Sequence, residues 1–343
     1  MNFDPLFVAN PKVPCRFCAG ERVKRLQCDH CRNSGYTPVN LNGLWSPSPG
    51  FLVCGGPSIN KVDYQRLRER GIVSMAVNQV AGYVPVTAWC FGDPGSKFHH
   101  GIHLDPKCLT FAPVWKLRDQ VHVKLPDGHW RNSGLRLRDC PGNFGFARES
   151  YFDPQTFFTD WFAHWGGTIK IQQDWDIAHP VEVKAKEKVS RVDPQDRRPD
   201  GDHVLCSMLL GIRLLHYLGC PRVYMLGVDF NMPSKKNAYA FGQEKDPRNG
   251  RYHDENQMLR ELKPIFDAEG FQLFNTNPES KCDVFPHVSF EDALNDCRGA
   301  VPKEPFDLAL WYNKDIADRD IKANKKCINL DRVIELQRQL NAK

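Results

Sequence analysis

Residues 51–60 read FLVCGGPSIN: four largely apolar residues that run straight into two glycines, a proline and a serine. A buried strand that leaves through small residues and then turns into a helix brings backbone N–H groups close to an anion. Gly55 and Gly56 let the backbone approach, and Ser58 is placed to cap a helix opening near Asn60. Taken alone, the stretch reads as a tight turn, since it is not a full GxGxxG and carries no P-loop lysine. Its neighbours change that reading.

Short apolar runs follow at regular intervals: 50–54, 72–78, 87–92, 108–114, 222–228 and 271–275. Between several of them lie helical patterns, over 59–71, 203–219 and 255–270. Strand–helix–strand alternation predicts a Rossmann-like three-layer α/β/α fold with a mainly parallel sheet. Asn78 ends the second run and Asp93 follows the third. In an open parallel sheet ligands bind beyond the carboxyl ends of the strands. Gly55, Gly56, Ser58, Asn78 and Asp93 are thus delivered to one rim, which points to a nucleotide site. Each of them alone is an ordinary turn former.

The chain has 343 residues, 41% of them hydrophobic and 25% charged, a soluble globular balance with length for about two domains. The formal net charge of +5 permits an anionic ligand without demanding one. The N-terminus has no charged segment followed by a long apolar run, so no signal peptide is expected. The best apolar stretch, 204–219, is broken by Arg213 and His216 and reads as a buried helix, so no membrane span is expected. Thirteen cysteines, without an export signal, fit a reducing cytoplasm with thiol or metal chemistry.

Four cysteines stand as Cys15-x2-Cys18-x9-Cys28-x2-Cys31. Two CxxC pairs on turns place four thiolates around one tetrahedral zinc at about 2.3 Å, and a full protein shell marks a structural ion. A segment this short cannot build a core without the metal. Residues 1–45 are therefore expected as a zinc ribbon. They hold six Lys/Arg against three Asp/Glu, a net of +3. A contact with nucleic acid or protein and a simple cap on the main domain are both open. Residues 46–50, SPSPG, read as a linker, and 46–300 as the nucleotide-binding α/β domain. Residues 127–202, rich in Arg, Asp, Gly, Pro and aromatics, read as an insertion or lid, and 301–343 as a helical tail.

The motifs GGPSIN, DYQRL, VNQV, FGDP, CSMLLGIRLLHYLGCPRVYMLGVDF, AYAF, YHDENQML and NTNPES occur in this order. Over 51–80, 87–95 and 203–280 the chain resembles the bacterial sialyltransferases that build lipooligosaccharide. The wider group includes the flagellin-glycosylating motility accessory factors and, more distantly, the archaeal 6-hydroxymethylpterin diphosphokinase-like proteins. The resemblance implies a nucleotide or nucleotide-sugar donor with its phosphates at the GGPS turn and its base or ribose at Asn78. It implies that Ser207 lines the donor site, that Tyr239 hydrogen-bonds the departing phosphate and that His253 is the general base. It does not reach the ribbon, 127–200 or the tail. Asp93 stands where the sialyltransferases have asparagine, and a carboxylate beside a phosphate calls for Mg²⁺. Asn231 replaces a second phosphate-binding tyrosine, and the arginine before the serine is absent, with Arg197, Arg198 and His203 nearby. Asp229 is either a strand-end structural residue or a second acidic ligand.

Three functions compete. The first is a glycosyltransferase using a nucleotide-activated sugar. The second is an Mg²⁺-dependent diphosphokinase-like enzyme using ATP. The third is a non-catalytic binding protein whose ribbon recognises nucleic acid or protein.

Overall fold

The computed structural model describes residues 41–92, 108–113, 120–124, 130–136, 143–146, 151–152, 157–158, 203–204, 206–232, 239–241 and 249–299, together with the strand pairs 13–14 and 36–37. Cys15, Cys18, Cys28, Cys31, Asp93, most of 127–202 and the tail 301–343 lie outside the described residues.

The central sheet has seven strands. In chain order they are β1 (Gly50–Val53), β2 (Val73–Val77), β3 (Ala88–Cys90), β4 (Leu109–Pro113), β5 (Asn143–Phe146), β6 (Arg222–Leu226) and β7 (Gln272–Asn275). Their spatial order is β7-β6-β1-β2-β3-β4-β5, and every pairing is parallel. Among the described residues three helices accompany it: α1 (Ser207–Tyr217), α2 (Asn249–Ala268) and α3 (Phe290–Gly299).

β1, β2 and β3 are buried on both faces, which is why they read as continuous apolar runs. Period-two alternation sorts their side chains. Leu52, Met75, Cys90, Val223 and Met225 pack with Leu209, Leu215, Leu259 and Phe266 from α1 and α2. Phe51, Ala76, Trp89, Tyr224 and Leu226 pack on the opposite face with Phe290 and Leu294 of α3. Each fully buried side chain of this kind contributes roughly 1.5–3 kcal/mol relative to exposure. The expected three layers are therefore present, and six of the seven strands fall on the predicted runs. Among the described residues no helix is long and apolar enough to cross a membrane.

Four local expectations change. The helix expected over 59–71 is instead two 3-10 turns, Pro57–Lys61 and Tyr64–Arg68. Asp63 interrupts it by accepting the Gln65 N–H at 3.1 Å and so starting a new turn. The linker expected at 46–50 is packed: Ser48 is buried, as are Leu41 and Trp45 just before it. Gly43 and Trp45 N–H groups cap the carbonyls of Tyr217 and Leu218 at the end of α1, at 3.0 and 2.6 Å. β5, with the sequence NFGF, lies inside the stretch read as an insertion and forms the edge of the sheet. A helix that the sequence pattern did not single out, α3, closes the described part of the chain at 290–299.

Candidate functional site

β1 is followed along the sheet by β2 on one side, while β6 lies on its other side, so the strand order reverses between β1 and β6. The crevice outside the carboxyl ends of those two strands is where an open α/β sheet binds ligands. Two turns meet there. Cys54 N–H donates to Leu226 O and Gly56 N–H to Gly227 O, both at 2.8 Å. Gly227 has φ +71°, a conformation glycine adopts without strain.

The glycines of the first turn answer to the fold itself. A Cβ on Gly56 would lie 2.5 Å from Gly227 O and 2.7 Å from the Asp229 carboxylate. A Cβ on Gly55 would collide with the ring of Tyr239. Asp229 then ties three loops together. Its carboxylate accepts the Ser58 N–H at 2.8 Å, the Ser58 hydroxyl, and the Asn277 side-chain amide at 2.9 Å. Lys281 N–H donates to its carbonyl at 2.9 Å. The carboxylate is thus spent on internal donors, which favours the structural reading of Asp229 over the metal-ligand one. Of the N–H groups from Cys54 to Ser58, that of Gly55 has no acceptor among the described residues.

Tyr239 arrives from a distant loop. Ala240 N–H donates to Gly55 O at 3.0 Å, and Asn60 Nδ2 donates to Ala240 O at 2.8 Å. The structure therefore brings Gly55, Gly56, Ser58 and Tyr239 together, with about 180 residues between the turn and the tyrosine. Asn78 stands one strand away, with φ +55°. Its carbonyl accepts the Trp89 indole N–H at 2.6 Å, while its own Oδ1 is buried with no partner among the described residues. Ser207 is the first residue of α1, whose N-cap, Cys206, makes no side-chain capping hydrogen bond. Because the C-terminal end of α1 leads into the start of β6, Ser207 lies at the carboxyl end of the sheet.

The helix carrying His253 starts at Asn249 rather than at 255, so His253 is in its second turn and not at its opening. His253 is exposed, in company with Asp254, Gln257 and Arg260, while Tyr252, Glu255 and Asn256 face inward. Tyr252 stacks on Phe230 at 5.1 Å and 8°. Its phenol is raised above its ordinary value, by burial first and then by Glu255, Tyr239, Cys54 and Asp229 around it. It is a proton donor at neutral pH. The Cys54 thiol is likewise pushed well above its ordinary value, by burial first and then by Cys206, Cys90, Glu255 and Asp229. A protonated, buried thiol is a poor nucleophile.

Sequence reasoning missed Tyr252, Glu255 and Asn277. The first two share one helix face by their i, i+3 spacing, a signal present in YHDENQML beside the more conspicuous histidine. Among the described residues no group of three or more His, Cys, Asp or Glu is arranged to hold a metal ion.

No family model matches the chain, and no curated protein matches it. Two solved structures are similar to it. One is the sialyltransferase CstII from Campylobacter jejuni in complex with the substrate analogue cytidine-5'-monophosphate: 13% identity, 71% of this chain and 86% of that chain covered, TM-score 0.34. The other is the MAf glycosyltransferase from Magnetospirillum magneticum AMB-1: 12% identity, 80% of this chain and 40% of that chain covered, TM-score 0.35. This chain thus spans well under half of the second protein. Scores of this size carry no functional weight, which rests on the residues of the β1–β6 crevice.

Proposed function

We propose that this protein is a nucleotide-dependent transferase, and specifically a glycosyltransferase that uses a nucleotide-activated sugar. The observation that carries the reading is the convergence of Tyr239 on Gly55 at the switch point of a parallel sheet. Glycosyl transfer breaks the bond between the anomeric carbon and the donor phosphate oxygen and forms one to an acceptor hydroxyl. The departing phosphate keeps the electron pair, and the acceptor proton must go to a base. Phenolic O–H groups at Tyr239 and Tyr252, with the Gly55 N–H, supply donors where that phosphate charge would develop. His253, on the solvent side of α2 beside Tyr252, is the base that takes the proton from an incoming acceptor. Ser207 and Asn78 line the donor.

The ATP-using alternative needs Mg²⁺. Asp229 is already held by three internal donors, so Asp93 is left to carry that reading, and no step is assigned to a metal here. For the ribbon, the antiparallel pairing of Val13–Pro14 with Tyr36–Thr37 closes the segment that contains all four cysteines, which supports Cys15, Cys18, Cys28 and Cys31 as holders of one structural zinc. Its role as a nucleic-acid contact stays a proposal alongside that of a structural cap.

A donor-hydrolysis screen over nucleotide sugars tests the assignment. Release of the nucleotide from one donor, strongly reduced in Tyr239→Phe, is the expected result. Hydrolysis of ATP with Mg²⁺ and of no sugar nucleotide would move the protein to the diphosphokinase-like class. Binding without turnover of either would leave a binding protein.

A further inference from the structure

We propose that Asn60 is a positioning residue whose side-chain amide latches the segment 239–241 onto the glycine turn and so holds the Tyr239 phenol over Gly55. This deepens the transferase reading above, and its effect on turnover rests on that reading. Asn60 Nδ2 donates to Ala240 O at 2.8 Å, between residues 180 apart in the chain. Ala240 N–H donates to Gly55 O at 3.0 Å. Both backbone groups of Ala240 are therefore gripped by one turn, 55–60. The residues on either side of Ala240 are seated with it. The Phe241 ring meets the edge of Tyr64 at 6.2 Å and 87°. The Tyr239 ring lies against Gly55, where a Cβ would stand 2.8 Å from Cδ1 and 3.2 Å from Cζ, the carbon that bears the hydroxyl.

Asn60 is itself held. It belongs to the 3-10 turn Pro57–Lys61. In that turn Ser58 donates its N–H and its hydroxyl to the Asp229 carboxylate. Ile59 is fully buried, and its N–H returns to Gly56 O at 3.2 Å. The carboxamide of Asn60 thus projects from a fixed base. A carbonyl oxygen only accepts, so the NH₂ end of the amide faces Ala240, and a carboxylate of the same shape could not replace it. One line of contacts runs from Asp229 at the end of β6 through Ser58 and Asn60 to Tyr239. The tie that shapes the glycine turn therefore also sets the phenol. Donors stabilise a developing phosphate charge only where they are already in place, and a displacement of about 1 Å costs on the order of 10²-fold in rate.

The test compares Asn60→Asp with the parent, each with Tyr239 and with Tyr239→Phe. Amide hydrogen exchange at Ala240 reads the latch without any substrate. It should be roughly 2- to 10-fold faster in Asn60→Asp. Equal exchange in parent and variant overturns the latch. On a sugar nucleotide that the donor screen finds hydrolysed, kcat should fall roughly 10- to 100-fold in Asn60→Asp, with the donor KM unchanged. In the Tyr239→Phe background the same substitution should change kcat by less than about 3-fold, because the phenol it positions has gone. Equal losses in the two backgrounds would show that Asn60 does not act through Tyr239 and would overturn the proposal. A parent that turns over no donor, with exchange at Ala240 still faster in Asn60→Asp, discards the transferase and keeps the latch.

Discussion

The two ends of the sheet are built differently. At the amino end, side chains satisfy one another. Arg222 reaches Asp296 of α3 with two hydrogen bonds at 2.9 and 3.1 Å, and the Tyr224 hydroxyl donates to the same carboxylate at 2.6 Å. His216 lies between Phe158, at 3.8 Å, and Phe271, at 5.2 Å. At the carboxyl end the chain accepts strain. The two non-glycine residues with positive φ among the described residues, Asn78 and Phe230, both follow strands there. For a residue as large as Phe230 such a backbone costs on the order of 1–3 kcal/mol, and it persists because hydrogen bonds hold Asp229 just before it and Tyr252 stacks on its ring. Ion pairs and ring stacking close one end, and hydrogen-bonded loops that hold residues in left-handed backbone form the other.

The largest expected effect sharpens that contrast through chemistry. His253→Ala should lower turnover by roughly 10²–10⁴-fold, with donor binding unchanged, because the ring is exposed on the acceptor side. Paired turnover and donor-affinity measurements on one preparation check it. If turnover survives, the inward-facing Glu255 becomes the base. Next comes Gly56→Val, which should destabilise the protein by roughly 2–4 kcal/mol. The added carbons would meet Gly227 O and the Asp229 carboxylate. Denaturant unfolding is the measurement. A variant of parental stability would show that the two turns can part.

The fold was largely legible, because six apolar runs bounded by turn residues fix a parallel sheet before any contact is known. β5 was not, since NFGF is short, carries a glycine and sits in a polar stretch. Asn60, Tyr239 and Gly55 were each visible as residues, and the pattern placed the glycine turn at the rim. The partner of that turn was hidden. A glycine signals close approach but not to what, and here the approaching group is the protein's own Asp229 carboxylate rather than a ligand. His253 drew attention as the one imidazole of its motif. Which side of the helix it occupies depends on where the helix starts, and that boundary is the weakest thing a sequence pattern conveys.

The tie between the loops can be cut directly. Asp229→Ala removes the acceptor for Ser58 N–H, Ser58 Oγ–H and Asn277 Nδ2. A loss of about 1–3 kcal/mol is expected, discounted for the partial exposure of the site. Asn277→Ala should lose less, because one donor leaves and the carboxylate keeps two. Thermal unfolding of both variants checks the order. A larger loss in Asn277→Ala would place the tie elsewhere.

The smallest effect belongs to the amino end and is read through pH. Burial between Phe158 and Phe271 holds the His216 imidazole below its ordinary value, partly offset by the Glu269 carboxylate. The unfolded chain therefore binds a proton at this residue more readily than the folded one does. Stability from this group is complete above its unfolded value, near about 6.5, and is lost as pH falls from there toward the depressed folded value. His216→Phe keeps an aromatic ring in the stack and removes the titration. Melting curves across pH 7.5 to 5, on a scale of about half a unit per step, should fall less steeply in the variant than in the parent. The difference should vanish above neutral pH. Parallel curves for the two proteins would mean that His216 opens to solvent before it is protonated, and that the amino end is looser than its packing implies.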